Sequence, residues 1–229
     1  MLAAVRLLTV LVLAGFAIFI VRDHATRYPQ DLPWTPLDLT APIGWSTQTK
    51  LLALRGNPAR CMALLEAADV RATPVPDEGH GTCRLSDPVR VTAIGLPLEP
   101  GGLVISCPLA AALYVWTTQM VRPAVRARLG TNATALTDLG SYNCRRIAGS
   151  DRTSEHSTAN AIDISGIRIA RGTTVALTRD WKAPGPRAEL LRDLHSGACR
   201  LFGTVLSPDY NAAHHDHFHL DMASWRACH

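Results

Sequence analysis

His214-His215-Asp216-His217-Phe218-His219-Leu220-Asp221 packs four of the chain's nine histidines and two aspartates into one short stretch. Packing seldom needs that many imidazoles, and imidazole is the commonest metal ligand in proteins. From Phe218 to Met222 the residues alternate, which predicts a strand. Side chains two apart on a strand share a face, with their Cα atoms roughly 6.6 Å apart. His217, His219 and Asp221 therefore point one way, and Phe218, Leu220 and Met222 point into a core.

A second polar cluster lies upstream, Ser154-Glu155-His156-Ser157-Thr158-Ala159-Asn160-Ala161-Ile162-Asp163. His156 belongs to a loop. Asp163 lies on a predicted strand over 161–164, with an isoleucine on either side. An unpaired carboxylate at such a half-buried face is costly, so a metal or an arginine (Arg145 or Arg146) must compensate. Two histidines and a carboxylate make the donor set of a catalytic zinc site with an open position. Manganese and iron accept the same donor types.

Outward from these clusters, the spacing predicts helices over 58–68, 108–129 and 188–195. Asn57 is the cap and Pro58 the first residue of the first helix, while Pro123 kinks the second and Gly130 stops it. Strands are predicted over 89–94 and 136–142. The mixed order gives an α+β class. Of the 229 residues, 47% are hydrophobic and 18% charged, which supports a real core and excludes disorder. A net charge of +4 with scattered basic residues excludes a nucleic-acid patch.

Residues 1–22 contain the apolar run Leu7 to Val21 behind Arg6, a membrane anchor or a signal segment. No convincing cleavage site follows Val21, which favours the anchor. Residues 23–46, rich in proline, read as an extended linker, with the domain proper over 47–229. All six cysteines follow the apolar run, and none are spaced C-x-x-C. They are expected to form three disulfides in an exported domain. Pairing sequence neighbours gives Cys61–Cys83, Cys107–Cys144 and Cys199–Cys228.

Ser154-x-His156-x-x-Ala159-x-Ala161-x-Asp163 followed by His217-x-His219 resembles the motif pair of the LAS metallopeptidases. That group includes D-Ala-D-Ala dipeptidases and carboxypeptidases, peptidoglycan endopeptidases and the hedgehog fold. It usually has glycine where this chain has Ala159. From about Cys61 to Cys228 the chain is more closely similar to the bacterial extensin-like C-terminal family. The stretches that carry this likeness include Cys107-Pro108-Leu109-Ala110, Gly140-Ser141-Tyr142-Asn143-Cys144-Arg145 and Pro208-Asp209-Tyr210-Asn211-Ala212-Ala213-His214.

The resemblance implies a small, mostly antiparallel sheet with helices on one side, of the hedgehog or D-Ala-D-Ala peptidase type. It implies His156, Asp163 and His219 as zinc ligands. It also implies a base just before His219, for which Asp216 and His217 stand equal. Arg145 resembles an upstream arginine that steadies the oxyanion or a substrate carboxylate; the other reading of it is a pair with an acidic neighbour. Asp221 is either a partner for an imidazole N–H or a surface aspartate. The function implied is a zinc peptidase acting on peptidoglycan peptides, on the inner membrane with its domain in the periplasm, or secreted after signal cleavage. The alternative is a non-catalytic metal-containing envelope module on the same fold.

Overall fold

The computed structural model describes residues 2–85 and 87–229. Met1 of the anchor segment and Ser86 of the turn-rich stretch lie outside them. Helix α1, Leu2–Arg27, is apolar along most of its length and buries none of its residues in the protein. It is long and apolar enough to cross a bilayer, and it runs on past the expected end of the segment at residue 22.

The stretch expected to be an extended linker instead packs on the domain. Gln30, Leu37 and Leu39 are buried, and both leucines join the hydrophobic core. Prolines leave backbone carbonyls without local partners, and two polar side chains take them up. Gln119 Nε2 donates to the carbonyls of Leu39 (3.2 Å) and Ala41 (2.8 Å), and Lys50 Nζ donates to that of Pro29 (2.8 Å). The apolar Leu37 and Leu39 fix the stretch in place, a role that proline density alone does not reveal.

Two helices follow, α2 (Thr47–Leu52) and α3 (Pro58–Ala67). Asn57 caps α3 as expected, its Oδ1 accepting the Arg60 N–H at 3.2 Å. Strands β1 (Ala72–Pro74), β2 (Pro88–Val91), β3 (Leu98–Glu99) and β4 (Leu103–Ser106) come next, and β1-β2-β4 form a small antiparallel sheet. Helix α4, Cys107–Trp116, is buried along almost its whole length because nearly every side chain on it is apolar. A π-helical turn, Thr117–Val121, joins it to α5, Arg122–Leu129. That turn places Pro123 at the start of α5, where its missing N–H is not needed, so the chain carries a π turn at the expected kink. Gly130 closes α5 in the left-handed region, φ +60°.

The main sheet holds β3 and six further strands: β5 (Ala133–Gly140), β6 (Ala161–Ile169), β7 (Thr174–Ala176), β8 (Thr204–Leu206), β9 (Phe218–Asp221) and β10 (Ala227–Cys228). Its order is β10-β8-β9-β6-β5-β3, with β7 on β6 beyond β9. The β5-β6, β6-β9, β6-β7 and β8-β9 pairs are antiparallel; β3-β5 and β8-β10 are parallel. Helices α6 (Leu177–Asp180) and α7 (Pro186–Ala198) lie between β7 and β8 in the chain. Leu109, Leu113 and Trp116 of α4 and Leu190, Leu191 and Leu194 of α7 share one core with Ile162, Ile164, Leu220 and Met222 of the sheet. The α+β class holds.

Of the three neighbour pairings, only Cys199–Cys228 forms; the others are Cys61–Cys107 and Cys83–Cys144. Cys61 on α3 meets Cys107 at the start of α4 because the two helices pack together, with both cysteines buried. Three disulfides suit an oxidising, extracytoplasmic compartment. Replacing Cys61 and Cys107 together by alanine is expected to lower stability by about 2–5 kcal/mol, since the bond closes a long loop. Urea unfolding of the double variant checks this, and an unchanged midpoint contradicts it.

Candidate metal centre

Antiparallel pairing sets Asp163 of β6 directly opposite His219 of β9. His156 comes from a 3-10 turn, Glu155–Thr158, which Ser154 caps by accepting the His156 N–H (3.3 Å). Ala159 ends the turn at φ +52° with no exposed surface. Glycine adopts that conformation freely, whereas alanine pays about 1–2 kcal/mol for it, so the departure at this position carries backbone strain.

Three donor atoms converge. His156 Nε2 lies 3.1 Å from His219 Nδ1, and each lies 3.2 Å from Asp163 Oδ1. A tetrahedral zinc with bonds of about 2.0–2.1 Å has ligand–ligand edges of about 3.3 Å. The triangle is therefore close to one face of such a site. Both histidines are buried, and the Asp163 side chain is 17% exposed.

The outward nitrogens fix the tautomers. His156 Nδ1 meets the Ser141 carbonyl at 2.5 Å, and a carbonyl can only accept, so that nitrogen carries the proton. His219 Nε2 meets Asp221 Oδ2 at 3.1 Å and likewise donates. Asp221 is buried and held in place, its Oδ1 accepting the N–H groups of Thr204 and Ala223 at 2.9 Å each. Of the two readings of Asp221, the structure takes the imidazole partner and not the surface aspartate. In these neutral forms both histidines turn a lone pair toward the Asp163 carboxylate, an arrangement that a metal ion or a proton would satisfy.

Without a metal, a proton on His219 Nδ1 does this. Burial works to lower His219, but its bonds to Asp163 and Asp221 outweigh burial and push it up to about 9. Burial works to raise Asp163, but the His156 and His219 imidazoles facing it outweigh burial and hold the carboxyl well below its usual range. A metal held at this site would have to displace the His219 proton. Zinc affinity is therefore expected to rise with pH and level off above about 9. Competition with a chromophoric chelator across that range measures it, and a flat profile contradicts the coupling.

His217 stands outside the triangle, with Nε2 3.4 Å from Asp163 Oδ1. Its Nδ1 donates to Asp216 Oδ1 at 2.7 Å. Asp216 and His217, rivals for one role in the sequence, are a bonded pair. Asp216 precedes the first residue of β9, so strand alternation does not turn it away. No arginine reaches Asp163 among the described residues; its ion-pair partners are His156, His217 and His219.

Arg145 makes no ion pair or hydrogen bond with the triangle among the described residues. It has no acidic partner there either; Arg146 takes Asp151 at 2.6 Å. Ser157 Oγ donates to the Arg145 carbonyl (2.7 Å) and accepts its N–H (3.0 Å), and Cys144 is tied to Cys83, so the loop is held beside the site. His214 forms a further wall, its ring 5.2 Å from His217 and 5.9 Å from His219. Burial, then the charges of His217 and His219, push it down to about 4, and Arg145 adds to this. His215 is exposed and bonds Ala212 O. The partner that sequence reasoning missed is the Ser141 carbonyl, because a backbone group leaves no mark on residue identity. A second grouping, His195 with Cys199 and Cys228, offers no thiolate because its sulfurs form a disulfide.

No curated protein and no solved structure matches the chain. The model of the extensin-like protein C-terminus family matches residues 59–229, and the chain belongs to that family.

Proposed function

We propose that this chain is an exported zinc-dependent peptidase that hydrolyses peptide bonds in cell-wall peptidoglycan. One observation carries the reading. Two imidazole lone pairs, each aimed by an outer hydrogen bond, meet a carboxylate at near-tetrahedral spacing beside an oriented third histidine. The likeness of the His156–Asp163 and His217–His219 motifs to LAS metallopeptidases supplies the substrate class. The apolar α1 and the three disulfides support an inner-membrane anchor with the domain in the periplasm.

Bound zinc would supply Lewis acidity and a water with its pKa lowered toward about 7. His156, Asp163 and His219 would hold it. His217 keeps its Nδ1 proton on Asp216, so Nε2 is free to take a proton from the attacking water and return it to the leaving amine. Asp216 orients that ring. Arg145, on its clamped loop, is the cation available for a substrate carboxylate or a developing negative charge.

The test uses the full chain purified in detergent. Its bound metal is measured, and isolated sacculi are digested with and without chelator. Products that vanish with chelator and return with zinc support the reading. Bound metal without products favours the non-catalytic envelope module, and no bound metal overturns both. Within the peptidase reading, His217→Ala is expected to keep its metal and lose turnover by about 10²–10⁴-fold. Asp216→Asn should lose less, because it disturbs only orientation. A His217→Ala protein with wild-type turnover removes His217 from the proton step.

A further inference from the structure

We propose that residues 28–46 form a collar seated in the lipid headgroup layer, with Trp34 and Trp45 as its bilayer contacts. This rests on the reading of α1 as a retained membrane anchor. Trp34 is 70% exposed and Trp45 90%. Trp116 and Trp181 are buried, and Trp225, exposed to a lesser degree at 43%, has the Arg152 guanidinium over its ring at 4.4 Å. A large apolar ring with one N–H donor is ill-suited to bulk water and well suited to the membrane interface. Tyr28, also exposed, is the first residue of the collar, directly after α1.

The collar is tied to the anchor. Asp31 is the junction: Oδ2 pairs with His24 Nε2 of α1 at 3.0 Å, and Oδ1 accepts the backbone N–H of Trp45 at 3.1 Å. Ser46 closes the loop, its Oγ donating to the Asp31 carbonyl (2.7 Å) and its N–H to that of Gln30 (3.0 Å). The apolar run ends at Val21, and Gln30 is already buried in the domain. Residues 22–27 continue the helix, about 9 Å at 1.5 Å per residue. The headgroup layer on one side of a bilayer is about 5–8 Å deep. His24 lies about 4.5 Å past Val21 along the helix, within that layer, and it holds Asp31, and through Asp31 the Trp45 backbone, at that depth, so the chain folds back into the layer instead of running out beyond it. The metal centre is then carried at a fixed height on the membrane face.

The full chain is reconstituted in phosphatidylethanolamine–phosphatidylglycerol vesicles, with and without lipids brominated high on their acyl chains. Tryptophan emission is read, and intact mass confirms that α1 is present. Bromine is expected to quench part of the emission. That quenched fraction should be lost in Trp34→Phe/Trp45→Phe and kept in Trp225→Phe. A vesicle-bound chain with no quenching, or with quenching untouched by the double substitution, overturns the collar while leaving the anchor. A mature chain that lacks α1 overturns both. Unchanged thermal melting of the double variant shows that the loss is not unfolding.

Discussion

Asparagine at position 163 is expected to empty the metal centre while leaving the fold intact. The change is isosteric, and Ile162 and Ile164 on either side keep their fully buried places on β6. What disappears is the only carboxylate in the triangle. Two neutral imidazoles remain, and a divalent ion loses both a ligand and its charge partner. Removing an outer hydrogen-bond partner typically costs 10–100-fold in metal affinity, so loss of a ligand should cost more than about 100-fold. Dialysed Asp163→Asn should hold far less metal than the wild type, and its products from sacculi should disappear. A second readout needs no metal. Burial opposes the rise of His219, and the bond to Asp163 is the strongest influence raising it, so its titration should fall from about 9 in the variant. Imidazole NMR reads this in chelated protein. An Asp163→Asn chain with full metal content would remove Asp163 from the ligand set.

The strand face of His219 and Asp221 was legible because alternation is a local property; His217, one residue before β9, still reaches Asp163. Phe218, Leu220 and Met222 between them are apolar and fully buried, so a register slip would have turned them into the polar site and the histidines into the core. Asp163 was legible for a related reason: a carboxylate between two isoleucines needs a partner. Three disulfides and the Cys199–Cys228 pair were legible; the other two pairings were not, because Cys61 meets Cys107 only through the packing of α3 on α4. Proline density misread residues 23–46, since a free linker and a packed collar share that composition. Leu37 and Leu39 were the available sign. That Asp216 and His217 form a bonded pair was not legible, because both precede β9, where alternation does not apply. The Ser141 carbonyl that orients His156 lies beyond any residue code.

Asp221→Asn should lose metal with little loss of stability, whereas Asp221→Ala should lose both. Oδ1 of Asp221 accepts the backbone N–H groups of Thr204 and Ala223, and Oδ2 accepts the His219 Nε2–H. Alanine leaves two buried N–H donors without partners, at about 1–3 kcal/mol each. Asparagine can keep its carbonyl on those donors, and they fix the amide's orientation, because turning its NH₂ toward two N–H groups would oppose donors to donors. The NH₂ then faces His219 Nε2 as a donor. Nε2 must accept, so the proton of the neutral ring moves to Nδ1, and the lone pair that faced Asp163 and His156 is gone. Metal affinity should fall by at least about 10–100-fold, the usual cost of disturbing such a partner. Chelator competition measures that, urea unfolding separates the two variants, and ¹⁵N imidazole shifts report the tautomer. If Asp221→Asn binds metal as the wild type does, the aspartate does not set the His219 tautomer. If it binds weakly with the tautomer unchanged, the loss has another cause, and the match between outer hydrogen bonds and converging lone pairs no longer explains this centre.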